Sequence, residues 1–290
     1  MSFSLHNSWV LIAAAGTGTR MNADTPKQFL QLAGEPILQH TLKRCLSWSS
    51  ELRVVLVTRL SDPALATVAA ASDPRVMLVE GGASRAESVS NGLSLVSEQT
   101  GEESPVLVHD AARPLVRRRD VENLLNTTAQ ARSSKKAQGG ILATPVTDTI
   151  KLAHPIPLAG LASDADLDHA NPEDRLVIEQ TLPRNLMWRA MTPQVSALGE
   201  LKRALDGSLQ TTSGVKEIDE SSSSRQSSGR QSSLTVPPAE HMAITDEASA
   251  MERAGHRVLL VEGASDNIKI THSHDLEIAQ MLLNRQQLEP

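Results

Sequence analysis

The sequence predicts an α/β fold, with a Rossmann-like, mostly parallel sheet that carries helices on both faces. Apolar β-rich runs alternate with segments whose apolar residues recur at helical spacing, and this alternation is typical of a parallel sheet packed between helices. The chain has 290 residues, 40% of them hydrophobic, which is enough for a sizeable core. The predicted strands are 9–14, 52–58, 76–80, 106–109 and 140–144, and the predicted helices are 37–48, 63–71, 85–97 and 120–131.

The second half of the chain departs from this alternation, although we expect residues 1–290 to form a single domain. Two extended segments flank a stretch rich in Pro, Asp, Ala and His, which predicts a protruding β-arm over 145–185. Between residues 221 and 233, eight of thirteen residues are Ser and none is apolar. Such a stretch cannot bury enough surface to offset its ordering entropy, so we expect a flexible insert over 207–240. The other predicted elements are strands 148–152, 176–181 and 257–262, an extended segment 267–271, and helices 186–191, 196–205, 244–254 and 275–283.

Composition excludes several classes of function. A formal net charge of −6 and an aromatic content of 2% argue against nucleic acid as a partner. No apolar run approaches the ~18 residues of a membrane span, so we expect no membrane partner. The single cysteine, Cys45, rules out an intramolecular disulfide, and its helical spacing with Leu42 predicts a core position. No Lys or Arg precedes Arg20, so residues 9–15 are expected to form a buried strand rather than a signal peptide, in a cytoplasmic protein.

A glycine-rich loop follows the first predicted strand. Residues 13–21 read Ala-Ala-Ala-Gly-Thr-Gly-Thr-Arg-Met, and Lys27 follows shortly after. Small residues let backbone amides approach a phosphate, and the two cations Arg20 and Lys27 suit a triphosphate. A dinucleotide fingerprint would require a third glycine where this chain has Met21, and the second strand lacks its terminal acid. The alternative interpretation is an ordinary strand–loop turn with solvated cations.

A second constellation ends the strand at 106–109. Asp110 stands at the carboxyl end of that strand, on the same sheet edge as the glycine loop, where a carboxylate can hold a divalent cation that bridges phosphates. Arg113 can bind a second anionic group. The alternative is a helix cap with an ion-pair partner. His109 is interpreted as a structural histidine rather than a base.

Two weaker motifs also suit the binding of phosphate or a metal ion. Asp266 and Lys269, three residues apart, could add a metal ligand and a phosphate contact, with a surface ion pair as the alternative. Gly82 and Ser88 flank a helix start at Ser84, where an anion or a nucleotide could bind, with ordinary capping as the alternative. Taken together, the motifs provide phosphate-binding amides, cations and carboxylates without a nucleophile–base pair. That combination favours displacement at phosphorus, which needs positioning and charge neutralisation.

The same motifs resemble the 2-C-methyl-D-erythritol 4-phosphate cytidylyltransferases of the non-mevalonate isoprenoid pathway, a branch of the nucleotidyltransferases. The resemblance runs in order from about residue 10 to 283, and only the arm tip and the serine-rich insert depart from it. The segments that carry it are 14–21, Pro26-Lys27-Gln28, Arg85-Ala86-x-Ser88, 109–114, Pro145-Val146-x-Asp148-Thr149-x-Lys151, Arg184-Asn185, Trp188, 192–194, 245–249, 261–263 and 266–269.

The resemblance implies a fold of the nucleotide-diphospho-sugar transferase type and a reaction of CTP with a polyol phosphate that releases pyrophosphate. It implies Mg²⁺ as cofactor, held by Asp110 and Asp266, and a homodimer whose 145–185 arm carries Thr149 and Arg184 into a neighbouring subunit. The implied catalytic residues are Arg20, Lys27 and Lys269. The implied nucleotide site comprises Ala14, Ala15, Gly16, Gly18, Gly82, Ser88 and Ala111, and the second substrate would contact Asp110, Arg113, Thr149, Arg184 and Thr192.

Three alternatives remain open at this stage. A cytidylyltransferase for another polyol phosphate, such as ribitol 5-phosphate, is similar but tends to have Val at the position of Ala112. A dinucleotide-dependent oxidoreductase is disfavoured by Met21 and the missing acid. A non-catalytic nucleotide-binding module is disfavoured by the joint presence of Lys27, Asp110 and Lys269.

Overall fold

The computed structural model describes residues 3–16, 25–155, 176–214 and 244–288. The strands within these residues are β1 (Trp9–Ala13), β2 (Gln31–Leu32), β3 (Glu35–Pro36), β4 (Arg53–Thr58), β5 (Val76–Glu80), β6 (Pro105–Asp110), β7 (Gly139–Pro145), β8 (Lys151–Pro155), β9 (Leu176–Thr181), β10 (Trp188–Ala197) and β11 (Val258–Glu262). The α-helices are α1 (Ile37–Leu46), α2 (Arg85–Gln99), α3 (Arg118–Ser133), α4 (Leu198–Gly214), α5 (Glu247–Arg253) and α6 (Ser273–Leu288). Short 3₁₀ helices cover Leu5–Asn7, Lys27–Phe29, Pro63–Thr67, Ala69–Ser72 and Arg184–Leu186.

A mixed, mostly parallel sheet forms the centre of the described fold. Its strand order is β11-β7-β10-β6-β1-β4-β5. Strand β10 runs antiparallel to β6 and β7, and the remaining pairs are parallel. The predicted fold class is therefore confirmed, with β10 as the exception to the parallel arrangement. Parallel strands that are buried on both faces consist of continuous aliphatic runs, as β1 and β6 do here.

The sheet separates two apolar layers because side chains alternate between its faces along each strand. Val10 and Ile12 of β1 pack in one layer with α1 and α3, whereas Trp9 and Leu11 pack in the other with α2 and α4. Cys45 lies in the first layer and is fully buried, as predicted, and burial raises the pKa of its thiol. Residues 9–13 form a buried strand at the centre of the sheet, which agrees with the interpretation made from the sequence.

Two predicted helices are wrong, and a third continues further than predicted. The predicted helix 63–71 is two 3₁₀ helices, and the predicted helix 186–191 is the end of a 3₁₀ helix followed by the start of β10. Helix α4 continues to Gly214, so the first residues of the predicted insert are helical; 215–240 lie outside the described residues.

The described part of the 145–185 arm forms a two-stranded antiparallel sheet of its own. Strand β8 pairs with β9, with Lys151 opposite Thr181, and all six residues of β9 are exposed. The arm tip, 156–175, lies outside the described residues. None of the helices among the described residues has both the length and the apolar character needed to cross a membrane.

Candidate active site

A cleft opens at the carboxyl edge of the central parallel strands. It encloses a cavity of about 360 Å³, where the loops after β1, β5 and β6 meet the segment that carries Lys269. In open α/β sheets this edge is where ligands bind. The structure brings nine of the predicted site residues to this cavity: Ala14, Ala15, Gly16, Lys27, Gly82, Ser88, Asp110, Ala111 and Lys269. Two others, Gly18 and Arg20, lie outside the described residues.

The loop after β1 is held in place by Gln28. The side-chain amide of Gln28 donates to the carbonyl oxygens of Ala14 (2.8 Å) and Gly16 (3.1 Å), so the start of the glycine loop has a fixed path. Gly81 lets a second loop approach closely, because a Cβ at that position would lie 2.2 Å from the Cβ of Ala15. The two loops therefore form one wall of the cavity, with backbone exposed to a ligand.

The N-terminus of α2 forms the neighbouring wall. Ser84 caps the helix by accepting from the backbone N–H of Glu87 at 3.1 Å, as the capping alternative predicted. The Ser88 hydroxyl accepts from the backbone N–H of Gly82 at 3.0 Å and donates to the carbonyl of Ser84 at 2.8 Å. The helix start thus serves both as a cap and as part of the cavity lining, so the two interpretations are compatible.

The Asp110 carboxylate lies among three cations. Its Oδ2 atom is 2.9 Å from Lys269 Nζ and 3.4 Å from Arg113 Nε, and its Oδ1 atom is 3.5 Å from Arg85 Nη2. Burial by itself would raise the pKa of Asp110, but the three cations outweigh burial and hold that pKa well below its usual range. Asp110 is therefore ionised, and the cleft combines one carboxylate with several positive charges.

Arg85 is a cleft residue whose contact with Asp110 the motif analysis did not predict. Its guanidinium also binds the buried carboxylate of Glu247, at 2.5 and 3.0 Å. Burial alone would lower the pKa of Arg85, but the nearby carboxylates of Glu247 and Asp110 outweigh burial and raise that pKa. A contact across 162 positions of sequence leaves no local pattern. The motif Arg85-Ala86-x-Ser88 was its only signal.

Behind Asp110, a buried hydrogen-bond network ties β6 to β10 and to the Lys269 segment. Arg113 Nη1 donates to the carbonyl of Asn267 (2.7 Å), and Asn267 Nδ2 donates to the carbonyl of Thr192 (2.9 Å). A second cavity of about 310 Å³, lined in part by Arg113, Arg189 and Lys269, adjoins this network. Two of the predicted substrate-binding residues, Arg113 and Thr192, therefore lie beside Asp110.

The remaining predicted site residues lie elsewhere. Asp266 does not line the cleft; its carboxylate accepts from Arg117 and also from Gln286, so the structure does not support it as a metal ligand beside Asp110. The physical reason is Arg117, the residue immediately before α3, and this partner of Asp266 cannot be read from the sequence. Thr149 and Arg184 are exposed on the arm and line neither of the two cavities of their own chain.

Among the described residues, one group of potential metal ligands lies outside the cleft. His272, His274 and Asp275 offer ligand atoms within 4.8 Å of one another at the start of α6. Asp275 already accepts from the backbone N–H groups of Thr271 (2.7 Å) and His272 (2.8 Å), so its carboxylate acts as a cap for this helix.

The fold and the cleft together define the class of protein. A mostly parallel sheet, a small-residue loop at the carboxyl end of β1 and a carboxylate surrounded by cations are the arrangement of an α/β nucleotidyltransferase. A sequence model of the family "2-C-methyl-D-erythritol 4-phosphate cytidylyltransferase" matches residues 8–238 and 231–285. The chain belongs to this family.

Individual relatives agree over nearly the whole length. The chain is 37% identical to the 2-C-methyl-D-erythritol 4-phosphate cytidylyltransferase of Haemophilus influenzae (strain PittEE), covering 96% of this chain and 97% of that protein. It is 39% identical to that of Ectopseudomonas mendocina, covering 92% of each. The crystal structure of the Francisella tularensis enzyme superposes with a TM-score of 0.66 and 29% identity, covering 95% of this chain and 99% of that one.

These matches also separate the alternatives left open by the sequence. The family model and the relatives carry the methylerythritol phosphate name, so the ribitol 5-phosphate alternative is not favoured. The nucleotidyltransferase prediction is confirmed, and the oxidoreductase and non-catalytic alternatives are not supported.

Proposed function

We propose that this chain transfers the cytidylyl group of CTP to 2-C-methyl-D-erythritol 4-phosphate, forming 4-diphosphocytidyl-2-C-methyl-D-erythritol and pyrophosphate. The observation that carries the proposal is the Asp110 carboxylate with its three cations, at the end of β6 and beside the loop after β1, in a chain of this family. The substrate's phosphate oxygen attacks the α-phosphorus of CTP in line. Because the second pKa of a phosphate monoester is about 6, this nucleophile needs no general base near neutral pH.

Different residues around the cleft are expected to bind the two substrates. The cytidine of CTP is expected near Gly82 and Ser88, with backbone of the loop after β1 against its phosphates. Lys27 and Lys269 line the same cavity, where they would offset charge on the α-phosphate and on the leaving pyrophosphate. Arg20 is proposed for the same role on sequence grounds. Arg113 and the cavity behind it would receive the polyol phosphate.

The donor set in the cleft fits a Mg²⁺ ion. A hard cation of this size is commonly held by one or two carboxylates together with substrate phosphates and water. Asp110 supplies one such carboxylate in the cavity, whereas Asp266 is engaged by Arg117. When bound, the ion would neutralise phosphate charge and orient the triphosphate. The Asp110 carboxylate is 2.9 Å from Lys269 Nζ, so the lysine offsets its negative charge when no metal ion is bound.

We further propose a homodimer in which the 145–185 arm completes the neighbour's cleft. The exposed apolar side chains of the arm support this, since Leu176, Val177 and Ile178 are 61%, 38% and 59% exposed. Arg184 donates to the carbonyl of Thr147 at 3.0 Å, so a contact within the arm holds its guanidinium in place. A cytoplasmic location stays a prediction.

The activity is tested by pyrophosphate release from CTP. We expect release with 2-C-methyl-D-erythritol 4-phosphate and Mg²⁺, little with ribitol 5-phosphate, and none with CTP alone. A matched reaction with ATP checks the choice of base. Equal release with both polyol phosphates would contradict the assignment of the acceptor, and no release with either would contradict the transfer reaction itself.

A further inference from the structure

His109 is a buried side chain for which the proposed mechanism has no use. It is the penultimate residue of β6, it is fully buried, and its ring lies edge-on to Trp48 at 6.3 Å between centroids. Burial disfavours the charged form of the ring, and its two hydrogen-bond partners, a carbonyl and a hydroxyl, carry no negative charge that would stabilise that form, so the ring is neutral. A buried neutral imidazole has one donor and one acceptor, and both are expected to be satisfied.

The partners of the ring fix which nitrogen carries the proton. His109 Nε2 is 3.0 Å from the carbonyl oxygen of Arg113, and a carbonyl can only accept, so Nε2 carries the hydrogen and donates it. Nδ1 is then the acceptor. It lies 2.9 Å from the hydroxyl of Thr192, which must donate to it.

The Thr192 hydroxyl therefore both donates and accepts a hydrogen bond within the chain. While donating to His109, the same oxygen accepts from the backbone N–H of Asp110 at 3.0 Å. Thr192 is itself buried, and its carbonyl accepts from Asn267. The hydroxyl therefore has no hydrogen left to donate to a substrate.

This chain of hydrogen bonds holds both ends of one turn. Residues 110–113, here called the 110–113 turn, are closed by a bond from the N–H of Arg113 to the carbonyl of Asp110 at 3.1 Å. One end of the turn carries the Asp110 carboxylate and the other carries the Arg113 guanidinium. Thr192 holds the Asp110 end, and His109 holds the carbonyl at the Arg113 end.

The position of Thr192 on β10 explains why a side chain, and not the backbone, makes this contact with β6. The paired register of β6 and β10 ends at Val108 and Gln194, and Pro193 has no N–H to offer. Beyond that point the hydroxyl of Thr192 continues the connection between the two strands, at the place where β6 ends in the cleft.

We propose that His109 is a positioning residue for the transfer reaction, acting through Thr192 and the 110–113 turn to fix Asp110 and Arg113. The inference rests on the proposed function for its kinetic consequence, although the hydrogen-bond geometry stands without it. It also assigns the hydroxyl of Thr192 an internal role instead of the direct substrate contact implied by the family resemblance.

The test compares Thr192→Val, which keeps the shape and loses the hydroxyl, with Thr192→Ser, which keeps the hydroxyl. We expect Thr192→Val to lower kcat roughly 10- to 100-fold, because small misplacement of a positioned group is costly, and Thr192→Ser to recover most of that loss. The control is Thr128→Val, since Thr128 is a buried threonine on α3 whose hydroxyl has no hydrogen-bond partner among the described residues. That variant is expected to turn over at the wild-type rate.

A double variant separates positioning from direct binding. If Thr192 acts through His109, then His109→Leu combined with Thr192→Val should lose about as much kcat as the worse single variant. A purely additive loss that appears in KM for the polyol phosphate would overturn the proposal, because it would mean that the hydroxyl contacts the substrate itself.

A spectroscopic readout keeps the inference testable even without activity. In wild-type protein, ¹⁵N spectra should show His109 protonated at Nε2 with Nδ1 as a hydrogen-bonded acceptor, and Thr192→Val should move the Nδ1 resonance to its unbonded position. A proton on Nδ1 in the wild type, or an Nδ1 resonance unaffected in Thr192→Val, would overturn the proposal. Failure of cytidylyl transfer in the wild type would instead contradict the proposed function and leave this readout intact.

Discussion

The cleft and the arm differ in how far their side chains are buried and paired within the chain. In the cleft, charged side chains are buried and held by named partners, as Asp110 is by Lys269, Arg113 and Arg85. In the arm, β9 is exposed along its whole length and apolar side chains such as Leu176 face solvent in the single chain. The charged groups of the cleft therefore have their partners within this chain. The exposed apolar side chains of the arm instead form a surface of the kind that another molecule covers.

This difference predicts different consequences of mutation. Changes in the cleft should affect chemistry strongly, because each group there is positioned by buried contacts. Changes in the arm should affect the binding of one substrate, since its polar residues lie away from the nucleotide loops of their own chain.

The largest effect is expected for Asp110→Asn. The amide is a poorer ligand for a hard cation, and it leaves three cations facing one another. Turnover should fall on the order of 10²–10³, comparable to the loss of a single charge-stabilising group, and the Mg²⁺ titration should weaken. The control Asp73→Asn removes a carboxylate paired with Arg75 outside the cleft and should leave turnover unchanged. An unaltered Mg²⁺ titration in Asp110→Asn would remove the metal role of this residue.

The next effect concerns the stability of the cleft against acid. The pKa of His109 is lowered by burial from 6.5 to about 4; the charge of Asp110 and the hydrogen bond to the Arg113 carbonyl raise it to smaller extents, and the charge of Arg113 lowers it. The unfolded chain therefore takes up the proton first, so this stabilisation is complete above about pH 6.5 and is lost as the pH falls toward 4. The loss should be roughly 3 kcal/mol. Denaturant unfolding of wild type and of His109→Gln, which cannot titrate, should converge over this range; parallel curves would contradict the buried neutral ring.

A smaller effect is expected on the arm. Arg184→Ala should raise KM for the polyol phosphate roughly 10- to 150-fold and leave CTP affinity almost unchanged, since a charge-assisted hydrogen bond contributes roughly 1.5–3 kcal/mol. Arg203→Ala is the matched control, because it removes an exposed arginine of α4 that pairs with Glu102. Steady-state kinetics in both substrates distinguish the outcomes, and equal changes in the two KM values would place Arg184 in another role.

The smallest effect is expected from deletion of residues 221–233. That stretch contains no apolar residue to contribute to a core, and loop-closure entropy changes slowly with loop length. Turnover and the thermal midpoint should stay close to the wild-type values. Loss of folded protein on deletion would show that the insert packs against the domain.

The contrast between the two regions also explains what the sequence could predict. Central strands such as β1 and β6 are buried on both faces, so their apolar runs were recognisable with small errors at the ends. The cleft loops were predictable because the carboxyl ends of parallel strands meet at one edge, which brings Ala14 and Asp110 to one cavity.

The failures came from non-local contacts and from misleading local patterns. The fate of Asp266 depends on Arg117, 149 positions away in sequence, which no motif reveals. Leu186, Met187 and Met191 have a spacing that resembles a helix face, but the chain there enters an antiparallel strand that pairs with β6 and β7. The tertiary pairing of β10 overrides that local pattern.

Mixing a cleft variant with an arm variant tests most directly whether the arm of one subunit completes the cleft of another. Lys27→Ala disables the cleft and Arg184→Ala disables the arm, so a heterodimer has one site in which both residues are native. With random pairing, about one quarter of all sites should be restored in a two-fold dimer. We therefore expect pyrophosphate release, measured at saturating CTP and at a 2-C-methyl-D-erythritol 4-phosphate concentration well below its KM, to recover to about that fraction of the wild-type rate. Heterodimers that form, as shown by native mass spectrometry, but recover no activity would contradict a cleft shared between subunits.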